Sequence, residues 1–167
     1  MKKNAFLLAA LGVVAFAGVN TAQAQSCAAP VRMQIDGGGN HTATGDTCAG
    51  ANQLGTYCSG LANSPENDII YAYTIDATRT ATSITLATST PAFNPALAIV
   101  TTCSGSATCV GDADIGGAGA SETVVFPQAV GNYFLIVSAS PESSTCGAFT
   151  LTANGRLPVS LQNFSVE

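Results

Sequence analysis

The sequence predicts an all-β fold: a single β-sandwich or jelly roll of about seven to nine short strands, stapled by disulfides. Three observations predict it. Apolar residues alternate with period two between Gly, Pro and Asn turn signals, and no stretch beyond residue 24 keeps a helical period over three turns. All six cysteines lie beyond an N-terminal segment that reads as an export signal.

That segment consists of Lys2 and Lys3, the apolar run Ala5 to Val19 and the small-residue site Ala22-Gln23-Ala24, so cleavage is expected to leave Gln25 as the mature N-terminus. The apolar run is short for a membrane span, and no membrane insertion is expected once it is removed. The expected organisation is a signal peptide over 1–24, a sandwich domain over 25–156 and a strand-like C-terminal segment over 157–167. A chain of this length suits one domain.

The first candidate strand carries Val31, Met33 and Ile35 and is expected at a sheet edge. Ile69, Tyr71, Tyr73 and Ile75 share one face of the next, and Ile84 and Leu86 alternate with threonines in the one after. Pro95 to Thr101 forms another, and Glu122 to Phe126 a further one. From Gly131 the chain places Tyr133, Leu135 and Val137 on one face and Phe134 and Ile136 on the other, the pattern of a central strand buried on both sides. Phe149 and Leu151 flank Thr150 in the last strand before the Asn154-Gly155 turn. Leu157 to Glu167 is apolar and β-prone, with Pro158 restricting it to an edge or a strand start. It has three candidate fates: a last strand of its own sandwich, a strand added to a neighbour's sheet, or a segment read by an export machine.

Six cysteines in an exported chain favour three disulfides over a metal site, because the closest pair is Cys103 and Cys109 and the single His41 is remote from both. Local pairing is expected first: Cys103 with Cys109 and Cys48 with Cys58, leaving Cys27 for Cys146. Beyond residue 24 only Arg32, Arg79 and Arg156 are cationic against ten acidic residues, a formal charge of −7. Three scattered arginines do not make the cationic footprint of a nucleic-acid or anionic-membrane binder.

The order of several motifs carries a resemblance. Gly45-Asp46-Thr47-Cys48, Asn67-Asp68-Ile69-Ile70-Tyr71-Ala72-Tyr73, Phe93-Asn94-Pro95-Ala96-Leu97-Ala98-Ile99, Gly131-Asn132-Tyr133-Phe134-Leu135-Ile136-Val137 and Gly147-Ala148-Phe149-Thr150-Leu151 together resemble the bacterial pre-peptidase C-terminal domains over residues 45 to 153. The resemblance implies a compact jelly-roll sandwich of the kind appended to secreted enzymes, where it assists secretion, processing or attachment to an insoluble substrate. Some members bind calcium.

Chemistry is sparse. Asp112 and Asp114, separated by one residue in a Gly-bounded loop, can converge on a hard cation, with Asp68 or Glu66 completing the oxygen shell of a calcium site. The competing reading is a solvated acidic turn, since the spacing matches neither an EF-hand nor a β-roll repeat. No other cofactor is expected. His41 lies in a Gly-rich loop with little to fix it, Ser121 lacks the setting of a nucleophile elbow, and no catalytic residue is assigned. Tyr57, Tyr71, Tyr73 and Tyr133 are read as packing rather than as sugar platforms. The expectation is a non-enzymatic binding or attachment module, secreted or at the cell surface with the periplasm as a further location, whose partner is an extracellular polymer or protein. The alternatives are a fibre subunit that polymerises with itself through residues 157–167 and a small secreted hydrolase.

Overall fold

The computed structural model describes residues 26–35, 40–58, 62–63, 67–76, 83–104, 106–107, 109–125, 129–141 and 143–155. The signal-like segment, Glu66 and the tail 157–167 lie outside the described residues. The strands are β1 (Val31–Arg32), β2 (Gln34–Ile35), β3 (His41–Asp46), β4 (Thr56–Tyr57), β5 (Ala62–Asn63), β6 (Ile69–Ile75), β7 (Ser83–Thr88), β8 (Pro95–Val100), β9 (Cys109–Ala113), β10 (Glu122–Val125), β11 (Gly131–Ala139) and β12 (Ala148–Asn154). One short 3-10 turn spans Thr47–Ala49, capped by the Asp46 side chain, which accepts from the Cys48 amide.

Ten of these strands form two five-stranded sheets, ordered β1-β6-β11-β8-β9 and β10-β7-β12-β3-β2; β4 and β5 make a separate small pair. The pairing is nested. β8 pairs with β9, β7 with β10, β6 with β11 and β3 with β12, all antiparallel. The chain is thus one long antiparallel ribbon rolled so that successive pairs fall in alternate sheets, the eight-strand order of a jelly roll. Rolling of this kind buries one face of each of these eight strands and explains the period-two pattern.

The early edge strand divides. Val31 and Arg32 run parallel to Tyr71 and Ala72 in the first sheet, whereas Gln34 and Ile35 pair with Thr42 and His41 in the second. Met33, buried between them, enters the core where the chain crosses from sheet to sheet.

The main core lies between the sheets, with Tyr71, Tyr73, Leu97, Ile99, Leu135 and Val137 from the first meeting Ile84, Leu86, Phe149 and Leu151 from the second. β11 is buried on both faces, as its sequence predicts. Its outward Ile136 joins Ile70, Ala98 and Val100 in a second cluster on the far side of the first sheet. Leu54 and Ala107 cover that cluster, and Cys27, Cys58, Cys103, Cys109 and Phe134 pack around it. All six residues of β8 are buried for this reason. The first sheet therefore carries a third layer of irregular chain.

All six cysteines are paired, but not locally: the bridges are Cys27–Cys103, Cys48–Cys146 and Cys58–Cys109. Cys103 and Cys109 flank the β8–β9 turn, yet each ties down a different piece of the covering layer, Cys27 from the N-terminal segment and Cys58 from the segment after β4. Cys48–Cys146 follows from the β3–β12 ladder. Asp46 pairs with Ala148, and extending that register by two residues brings the two cysteines face to face, with Cα atoms 4.9 Å apart. Thr47 bonds Gly147 beside this bridge, each backbone amide finding an oxygen on the other residue. Three long-range disulfides are those of a protein that folds in an oxidising compartment. No helix among the described residues is long and apolar enough to cross a membrane.

Candidate functional site

The loop that joins β9 to β10 is built around a buried carboxylate. Glu122 opens β10 and is 1% exposed, with Oε2 accepting the Ile115 amide at 3.1 Å and Oε1 the Gly116 amide at 2.6 Å. A carboxylate is costly to bury unless it is hydrogen-bonded, and these two charge-assisted bonds meet that requirement. Gly116 permits the approach, since a Cβ there would stand 2.7 Å from Glu122 Oε1. On the other side of the loop the Asn94 side chain, oriented to satisfy its neighbours, donates to the Gly116 and Gly117 carbonyls at 3.0 and 3.3 Å. Gly119 adopts φ +76° and its amide donates to Phe93 O at 2.8 Å. Only glycine takes that conformation without cost, and a side chain would also press on the Pro91 carbonyl.

This rigid turn presents an apolar side chain to solvent. Ile115 is 90% exposed although its amide is anchored, and it rims a cleft of about 310 Å³ lined by Asn94, Asp114, Gly116, Ser140 and Pro141. Asp114 Oδ2 accepts a hydrogen bond from Ser140 Oγ at 2.9 Å. Asp112 is exposed on β9, two residues away.

Asp68 does not join them. Successive registers place it in one row with Ser138, Ala96 and Asp114, three strand spacings or roughly 14 Å from Asp114. It is 1% exposed, and its Oδ2 accepts the amides of Gln53 and Leu54 at 3.0 and 2.9 Å. Burial raises its pKa above the ordinary 3.8; the Leu54 and Gln53 amides, and then the nearby Ser138 hydroxyl, only partly offset this. Ser138 Oγ is itself buried and lies beside the carboxyl without a hydrogen bond of good geometry. Asp68 is thus the clamp that holds the covering segment of Gln53 and Leu54 onto the first sheet. Among the described residues no three His, Cys, Asp or Glu side chains converge, and the oxygen shell expected for calcium is not assembled from Asp112, Asp114 and Asp68.

The remaining candidates are dispersed. His41 is not in a loose loop: it starts β3, is buried and packs edge-on against Tyr73 with ring centres 5.3 Å apart. Ser121 is exposed before β10, three strands across the sheet from β3 and roughly 14 Å away. Tyr71 and Tyr133 are core residues whose hydroxyls donate to Thr44 O and Ala129 O, each at 2.9 Å; the Tyr57 side chain lies outside the described residues. A second cleft of about 370 Å³ opens where β1 passes to β2, lined by Arg32, Gln34, His41, Tyr73 and Thr74. Arg32 is the one Lys or Arg among the described residues and sits at the sheet edge opposite Asp112 and Asp114.

Glu122 and Ile115 escape sequence reasoning. Glu122 reads as an ordinary strand start, and the available signal is an acid placed flush against an apolar strand, the same signal that Asp68 gives. No family model matches the chain, and no curated protein and no solved structure is significantly similar to it.

Proposed function

We propose that the protein is an exported, non-enzymatic jelly-roll module, of the kind seen in pre-peptidase C-terminal domains, that binds or attaches at the cell surface or in the extracellular space. Export rests on the signal-like residues 1–24 and on the need of three disulfides for an oxidising compartment. Binding rests on one observation above others: a buried carboxylate, an asparagine and a left-handed glycine fix the 114–119 turn, and that turn holds Ile115 in water beside a cleft. An isolated exposed apolar residue is ordinary on a protein surface. One carried on a backbone turn fixed by so many polar contacts is presented in a set place, and such preorganisation lowers the entropy lost on binding.

The test is saturable retention of the labelled, oxidised protein on washed cells and extracellular matrix of the producing organism, beside Ile115→Ser. Retention should saturate and should be lost in the variant. Retention no greater than that of an inert disulfide-bonded control would contradict the proposal, and so would reproducible hydrolytic turnover.

A further inference from the structure

We infer that the Ile115 turn and its cleft form a docking site for a basic-apolar segment of a protein partner, with an Arg or Lys side chain entering the cleft and an adjacent apolar side chain packing on Ile115. This rests on the binding reading above and names its partner chemistry. The cleft is lined mostly by polar groups, the Asp114 carboxylate among them, and Ile115 and Pro141 supply its smaller apolar share. That combination matches a side chain with an aliphatic stem and a cationic end. At about 310 Å³ it lies at the low end of ligand-pocket sizes, room for a side chain rather than a length of backbone.

Charge points the same way. Asp112 is exposed on β9 two residues before Asp114, and the Glu122 carboxylate accepts the Ile115 and Gly116 amides of the cleft's rim. Arg32, the one described cation, is at the far edge of the same sheet, four strand spacings or roughly 19 Å from β9. Among the described residues the charge around the cleft is negative, and the whole chain has a formal charge of −5, so a cationic segment is drawn in while polyanions are repelled. The Ser140 hydroxyl orients the Asp114 carboxylate from the side, so the acid is held in position before a ligand arrives.

The experiment follows backbone amide shifts of the oxidised full chain by NMR during titration with three blocked dipeptide amides: acetyl-Arg-Leu, acetyl-Gln-Leu and acetyl-Arg-Gly. Saturable shifts at Ile115, Gly116 and Ser140 are expected with Arg-Leu. Gln-Leu should bind about tenfold more weakly, the loss that a missing charge-assisted bond produces. Arg-Gly should also bind more weakly, through loss of the contact with Ile115. Asp114→Asn should abolish the preference for Arg over Gln, and Ile115→Ser the preference for Leu over Gly. Both variants keep the fold testable, because Asn still accepts from Ser140 and Ile115 is in water. Equal binding of Arg-Leu and Gln-Leu, shifts that map to the Arg32 cleft instead, or no saturable shift with any dipeptide would overturn the proposal. If cells still retain the protein saturably in that case, the binding reading stands and this partner chemistry alone falls.

Discussion

Asp68 gives the sharpest test of how the covering layer is held. Removing its carboxyl in Asp68→Ala orphans two amides, those of Gln53 and Leu54, at about 1–3 kcal/mol each. The relief of no longer burying a charge offsets part of that, so the net loss at neutral pH should be about 2–4 kcal/mol. Asp68→Asn behaves differently, because its amide oxygen still accepts both bonds and no charge is buried. The folded-state pKa of Asp68 is raised above 3.8, so its contribution to stability is fully present below that pH and is lost as pH rises through the folded value. Each unit of that rise corresponds to about 1.4 kcal/mol. Urea unfolding of both proteins, disulfides intact, from about pH 3 to pH 7 measures the difference and cancels the other titrating groups. Asp68→Asn should gain on the wild type as pH rises. If the wild type instead gains on the variant, the ionised carboxylate is stabilising and the reasoning fails.

Three further outcomes test the fold. Non-reducing peptide mapping should recover Cys27–Cys103, Cys48–Cys146 and Cys58–Cys109; replacing both Cys48 and Cys146 by Ala, which opens a loop of 98 residues, should cost about 4–5 kcal/mol on the chain-entropy model. Gly45→Ala should destabilise by about 1–3 kcal/mol in thermal or urea unfolding, because its Cβ would stand 2.5 Å from Tyr71 Oη and 2.6 Å from Phe149 Cζ in the packed interior. Leu135→Ala, at a fully buried position in the middle of β11, should cost about 2–5 kcal/mol by the same measurements.

Much of the architecture is legible in the chain because burial writes itself as a period. The two-faced alternation of Tyr133 to Val137 places β11 at the centre of a sheet, and there it sits between β6 and β8. The runs around Ile69, Ile84 and Phe149 likewise become β6, β7 and β12. The disulfides are not legible in the same way. Their pairing depends on which distant strands become neighbours, and the rolled ribbon brings residue 48 to residue 146 while leaving Cys103 and Cys109 for different covering segments. A turn between two cysteines is a poor guide where a third layer crosses it.

The candidate site is legible only in part. Asp112 and Asp114 draw attention by composition, and Asp114 does line a cleft. Asp68 draws attention for the wrong role: it is a clamp for backbone amides, set three strands from Asp114. Ile115, a lone aliphatic residue between Asp114 and Gly116, has no periodic partner, and only its surroundings reveal that it is held in place. Glu122 illustrates the general difficulty, since a buried acid that serves backbone groups leaves no motif.

The most direct test of the account is amide hydrogen exchange at Ile115 and Gly116 in the oxidised protein. Both amides should be protected like those of the neighbouring strands, despite the exposed side chain above them, because the Glu122 carboxylate holds them. Exchange at the rate of an open loop would contradict it, since Ile115 would then be an ordinary mobile residue and not a prepared point of contact.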